Sequence, residues 1–267
     1  MITALRSAWV WGGTGLLILL WLPIMAVSRV FERSPYYRTG FLFRKLGHTM
    51  TMLNPLWTFE RTGTIPSNPN NPYIVVSNHL SNADIPSISR LPWEMKWIGK
   101  KSLFDLPISG WLMKLAGDIA VDRGDQRSRA GVLIQGRKYL QENCSLMFFP
   151  EGTRSRDGRT LGFTDGAFRL AIKTKIPILP LAIDGTQNAL PKNSWKFTNA
   201  TQVRLHVFDP IPTADLSPAD TPVLRERVRQ QIMEQLAQWR GLPLDQVDAL
   251  TGKDSVNTPT QSAGNDR

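Results

Sequence analysis

Tyr73-Ile74-Val75-Val76-Ser77-Asn78-His79-Leu80-Ser81-Asn82-Ala83-Asp84-Ile85-Pro86 passes within fourteen residues from an apolar, β-branched run through a polar segment to a helix start. Pro86 favours a helix beginning just before it, because its fixed φ suits the first turn, and this places Asp84 near the capping position with its carboxylate turned back towards the loop. The same grammar recurs along the chain. Ile119 to Val121, Leu146 to Phe149, Ile178 to Ile183 and Val203 to Phe208 read as further strands. Leu103 to Ala116, Arg127 to Gln141 and Gly166 to Lys175 read as the helices between them. Such alternation predicts an α/β domain with a largely parallel or mixed central sheet and helices on both faces. Leu224, Val228, Ile232, Leu236 and Trp239 form an apolar stripe on a last, charged helix that packs on this core.

Upstream, the 22 residues from Ser7 to Ser28 carry no charge. A helix of that length reaches roughly 30 Å, the thickness of the bilayer hydrocarbon. Trp9, Trp11 and Trp21 suit its two interfaces. A cleaved signal peptide needs a shorter apolar stretch after a basic lead, whereas here Arg6 alone precedes and Arg29, Arg33, Arg38, Arg44 and Lys45 follow. The expectation is a retained membrane helix with the bulk of the chain on the cytosolic side. Phe41, Leu42, Leu46, Met50 and Leu53, with Arg44, Lys45 and His48 interspersed, then give an amphipathic helix. Two readings stand for it, in the membrane interface or packed on its own domain, and a return towards the first helix as a monotopic hairpin is compatible with both. The chain thus divides into an anchor and interfacial helix (1–61), an α/β domain (62–250) and a polar tail (251–267) expected to be disordered.

The composition narrows the function. In 267 residues there is one cysteine, Cys144, so no intramolecular disulfide forms. Apolar residues make up 42% and charged residues 20%, which excludes a disordered chain. The formal charge of +10 is uneven: +5 over residues 1–61, +2 over 62–117, +4 over 118–175 and −1 over 176–267. A basic excess beside an apolar segment points to an anionic membrane face, and the absence of helix-turn-helix, P-loop or aromatic RNA-binding signatures argues against nucleic acid. His48, His79, His206 and the lone cysteine match no metal pattern, so no metal is expected. No G-x-S-x-G is present, so a serine acyl-enzyme is not supported, and Cys144 precedes a strand at its wrong end.

In open α/β sheets ligands gather at the carboxyl ends of the strands. There, His79 followed five residues later by Asp84 offers a base whose tautomer an acid fixes, although a capping aspartate beside a surface histidine gives the same pattern. Arg123 follows the second strand end. Pro150-Glu151-Gly152-Thr153-Arg154 follows the third, combining a flexible glycine, backbone amides, a hydroxyl and a guanidinium, the groups that hold a phosphate.

Asn78-His79-x4-Asp84, Asp122-Arg123, Phe149-Pro150-Glu151-Gly152-Thr153-Arg154 and Ile178-Leu179-Pro180-Leu181, in that order, resemble the four motif blocks of the glycerolipid acyltransferases (PlsC-type), nearest to the bacterial 1-acyl-sn-glycerol-3-phosphate acyltransferase type. The likeness covers about residues 70–190. It implies that His79 is the general base and Asp84 its orienting acid. It further implies that Glu151, Gly152, Thr153 and Arg154 bind the acceptor, with Arg123 beside Arg154 for its phosphate and Lys100 or Lys101 as a third charge. By the same resemblance the reaction moves a fatty acyl group from acyl-CoA or acyl-carrier protein to the sn-2 hydroxyl of lysophosphatidic acid. It gives phosphatidic acid at the cytoplasmic membrane, through a ternary complex and with no cofactor. Another lysolipid acceptor is the alternative, and a membrane-tethered binding module or a hydrolase stands further off.

Overall fold

The computed structural model describes residues 2–66, 71–189, 195–197 and 200–251. In chain order the elements are α1 (Ile2–Val30), α2 (Tyr37–Met52), β1 (Trp57–Gly63), β2 (Ile74–Ser77), α3 (Asp84–Ile88), β3 (Met95–Lys100), α4 (Lys101–Phe104), α5 (Ser109–Ala116), β4 (Ile119–Val121), α6 (Gln126–Gln141), β5 (Ser145–Phe148), α7 (Gly166–Thr174), β6 (Ile178–Asp184), α8 (Thr186–Ala189), β7 (Thr201–Val207), α9 (Thr221–Arg240) and α10 (Leu244–Val247). The seven strands form one mixed sheet in the order β1-β7-β6-β2-β5-β3-β4. The ladder is parallel from β6 to β4 and between β1 and β7, and β6 meets β7 antiparallel.

Alternation along the strands builds two cores. Ile74, Val76, Leu146, Ile178 and Ala182 pack on one face against Val132, Phe168, Val228 and Ile232 of α6, α7 and α9. Val75, Met147, Leu179 and Leu181 pack on the other with Ile88 of α3, Trp93 and Val203. Because β2, β5, β3 and β4 are parallel neighbours, their carboxyl ends share one rim.

Three differences from the sequence expectation have physical causes. The sheet starts at Trp57, ahead of the boundary expected at 62, since Trp57–Gly63 runs alongside Thr201–Val207 as an edge strand with alternating exposure. Met95–Lys100 is an unforeseen strand in which Lys96 is buried, its ammonium bonded to Glu94 (2.9 Å) and to the carbonyls of Tyr36 and Ala116. The helix expected over Leu103–Ala116 is broken at Asp105–Ile108, where Pro107 follows the first turn and Ile108 takes a positive φ of 64°. The tail beyond Thr251 lies outside the described residues.

α1 and α2 pair as a hairpin around Met25 and Leu46, which also meets α5 through Leu112 and Ala116. The basic side of α2 is partly turned inward. Arg44 is buried and donates to Glu94 (2.7 Å) and to the carbonyl of Trp93. The hairpin is therefore locked to β3 by a buried Arg44–Glu94–Lys96 cluster, which needs all three charges because an unpaired buried ion is costly.

Candidate active site

His79 stands two residues beyond β2, and Asp84 opens α3. The intervening turn closes on the aspartate: one carboxylate oxygen, Oδ2, accepts from the backbone N–H of Leu80 (2.8 Å), from that of Ser81 (3.0 Å) and from Nδ1 of His79 (2.7 Å). The other, Oδ1, accepts the hydroxyl of Thr186 at the start of α8. Asp84 is fully buried and the imidazole 12% exposed. The bond to a carboxylate fixes the proton on Nδ1, so the lone pair lies on Nε2. Nε2 makes no hydrogen bond among the described residues. The ring lies flat on Phe149, centroids 3.9 Å apart and planes 12° from parallel, which holds the direction in which Nε2 points.

The loop after β5 is tied to the same turn. Ser155 N–H donates to the carbonyl of His79 (2.8 Å), and the N–H of His79 donates to Glu151 (2.8 Å). Glu151 also accepts from the N–H of Leu161 (3.2 Å). Its carboxyl is buried, and burial pushes it up to about 8 despite those two donors. Gly152 adopts a positive φ of 69°, which a side chain would strain, and it carries the chain round to Thr153 and Arg154, both exposed. Arg154 makes no ion pair among the described residues. Behind these loops the Asn78 side chain donates to the carbonyl of Ile183 and accepts from its N–H, both at 2.9 Å, pinning the end of β2 to β6.

The remaining residues singled out in the sequence stand further along the rim. Lys100, Lys101 and Arg123 line one cleft of about 300 Å³ at the ends of β3 and β4, with Asp105 and Asp122. At about 4.8 Å per strand, β3 lies roughly 10 Å and β4 roughly 14 Å from β2, so the backbone that carries these cations stands along the rim from the His79 turn.

A family model described as Acyltransferase matches residues 58–184, a stretch running from β1 to the end of β6 and containing all of these residues except Thr186. The chain belongs to the acyltransferase family. This acyltransferase is 37% identical over 177 residues to a chloroplastic 1-acyl-sn-glycerol-3-phosphate acyltransferase from Arabidopsis thaliana, covering 66% of the chain and 48% of that protein. It is 35% identical over 167 residues to the alpha form of that enzyme from Homo sapiens, covering 62% of the chain and 59% of the relative. The chain spans about half the length of the curated relatives it matches. In fold it is similar to the crystal structure of the 1-acyl-sn-glycerophosphate (LPA) acyltransferase PlsC from Thermotoga maritima, with a TM-score of 0.73 and 24% identity over 89% of this chain and 96% of that one.

Two residues beside the His79–Asp84 pair escape sequence reasoning as parts of a site. Thr186 lies 102 residues from the carboxylate it bonds. Its only signal is the turn Asp184-Gly185 at a strand end, read as far as Gly185. Phe149 stacks on the imidazole although its apolar run reads as core. Cys144 is buried and its thiol is pushed up to about 12 by burial, so it is no nucleophile at neutral pH.

Proposed function

We propose that this acyltransferase moves a fatty acyl group from a thioester, acyl-CoA or acyl-carrier protein, to the sn-2 hydroxyl of lysophosphatidic acid, giving phosphatidic acid. The observation that carries the reading is the buried Asp84 bonded to Nδ1 of His79 while Nε2 stays free at the sheet rim. Nε2 takes the proton of the acceptor hydroxyl as its oxygen forms a bond to the thioester carbonyl carbon. The carbonyl oxygen becomes an oxyanion, the C–S bond then breaks, and the departing thiolate takes the proton back from the imidazolium. Asp84 stabilises that imidazolium without moving its own proton inventory, since its oxygens are occupied by four donors. In this reading Arg154, with Thr153, holds the acceptor's phosphate, and Gly152, at positive φ, lets the loop amides approach it. Glu151 positions the base through the His79 backbone instead of meeting the acceptor itself.

α1 is long and apolar enough to cross a membrane, with a mean hydropathy of 1.9 over its best window. Its contacts favour a different disposition. Near its start Arg6 donates to the carbonyl of Phe197 and Trp11 to that of Trp195, while further on Trp21 donates to Leu42. A perpendicular crossing sends the two ends about 30 Å apart, to opposite faces of the bilayer. A helix fastened to the α/β domain at residues 6 and 11 and to α2 at residue 21 is held on one side of the bilayer, and its outward Leu5, Leu16, Leu19, Ile24 and Val27 sink into one leaflet. The basic residues beside it suit the anionic cytoplasmic leaflet of the cell membrane.

The test is an assay of the purified chain in mixed micelles with labelled acyl-CoA or acyl-carrier protein and a panel of lyso acceptors. Transfer to lysophosphatidic acid above lysophospholipids and lyso-ornithine lipid supports the reading. Preference for an acceptor without a phosphomonoester, or release of free fatty acid alone, contradicts it.

A further inference from the structure

A second cleft, of about 570 Å³, opens between the end of α1, α5, α6 and the edge strand β4. Four cations line it: Arg29, Lys101, Lys114 and Lys138. None of the four makes an ion pair among the described residues. Two acids face the same space, Asp105 and Asp118, and the carboxylate of Asp118 is engaged by the N–H of Trp97 (3.0 Å). The guanidinium of Arg29 is held over the ring of Tyr36, 3.1 Å from its centroid, so one wall is preformed. Lys101 and Asp105 also line the cleft that holds Lys100 and Arg123, so the two clefts share a wall between the open edge of the sheet and the ends of β3 and β4.

A cleft lined by more basic than acidic side chains concentrates anions. Its extent selects among them. Four cations against two acids leave the lining net positive, and the space exceeds a phosphate's volume several times, room for a larger polyanion. The Arg154 loop already offers a guanidinium to the acceptor's one phosphate. We propose that this second cleft binds the 3′-phosphorylated ADP end of a CoA thioester, with the pantetheine arm running along the shared wall at Lys101 towards His79. This rests on the acyl-transfer reading above and selects the donor within it.

The test pairs binding with kinetics on the full-length chain. Lys114 and Lys138 are exposed, so the double variant K114Q/K138Q leaves the core untouched. Titration with adenosine 3′,5′-bisphosphate is expected to show binding to the native chain that weakens about tenfold or more in the variant, since loss of even one of the two charge-assisted contacts has that effect. The KM for acyl-CoA rises in parallel, while kcat, the KM for the lyso acceptor and the KM for an S-acyl-pantetheine donor stay as they were. Unchanged bisphosphate affinity overturns the proposal, as does an equal loss with the pantetheine donor or transfer from acyl-carrier protein alone. Weakened binding to phosphatidylglycerol vesicles with an unchanged KM for acyl-CoA also overturns it and assigns the cleft to lipid headgroups. Failure of the transfer reading looks different: no thioester is consumed by the native chain, whatever the bisphosphate titration shows.

Discussion

Replacing Asp84 by Asn isolates the charge that supports the base. The amide oxygen can stand where Oδ2 stands, accepting from Nδ1 of His79 and from the N–H groups of Leu80 and Ser81, while the amide nitrogen faces the Thr186 hydroxyl as an added donor. Shape is kept and one negative charge is lost. That charge acts only when the imidazole becomes an imidazolium, that is, on the way to the transition state. For charge centres about 4 Å apart, the attraction is worth about 4 kcal/mol at the effective dielectric of a protein site and about 1 kcal/mol in bulk water. Asp84 is fully buried, so the larger figure applies. About 4 kcal/mol corresponds to a fall in kcat of about 10³-fold, against roughly fivefold if the pair were solvated. Initial rates with labelled acyl-CoA and saturating lysophosphatidic acid measure it, with thermal unfolding as the control for folding. A loss below tenfold in a folded variant refutes the proposed role of the carboxylate.

Three further outcomes follow from the same contacts. Glu151 has a native value of about 8 against an ordinary 4.5, so the folded chain binds the extra proton and stability falls as pH rises from about 4.5 to 8. Glu151→Gln removes that dependence, and the melting temperature of the variant relative to the native chain is expected to rise between pH 6 and 9. Gly152→Ala meets nothing within 4 Å of the new methyl, so its whole cost is the positive φ, about 1–2 kcal/mol, read by urea unfolding together with reduced transfer. Glu94→Gln leaves Arg44 and Lys96 buried without the carboxylate that pairs them and is expected to cost about 3–5 kcal/mol, with protease cleavage appearing between α2 and β1 as the hairpin loosens from β3.

What the sequence reveals and what it hides follow from how local each interaction is. β2, β4, β5 and β6 are legible because they are buried on both faces or nearly so and read as unbroken apolar runs. β1 hides because Glu60 and Arg61 interrupt its pattern on an exposed edge. β3 hides because Lys96 reads as a surface charge until its partners are known, and Tyr36 and Ala116 are brought to it only by the tertiary fold. The inward turn of Arg44 is likewise fixed by Glu94, 50 residues away. The antiparallel placement of β7 follows from a long connection whose direction no residue pattern states. At the site, the pair His79 and Asp84 is local, five residues apart, and so is the Glu151–Arg154 loop. Glu151 is the instructive case: the family resemblance implies acceptor binding, while its bonds to the N–H groups of His79 and Leu161, which no local pattern states, tie it to the turn that carries the base.

The central claim is that Nε2 of His79 takes the proton of a lysolipid hydroxyl. The most direct measurement is the rate of acyl transfer from labelled acyl-CoA to lysophosphatidic acid by purified His79→Gln, compared with the native chain at equal vesicle binding and equal melting temperature. A fall of about 10²- to 10⁴-fold, the range a positioned general base contributes, is the expected result. A folded, membrane-bound variant that transfers acyl groups at the native rate contradicts it.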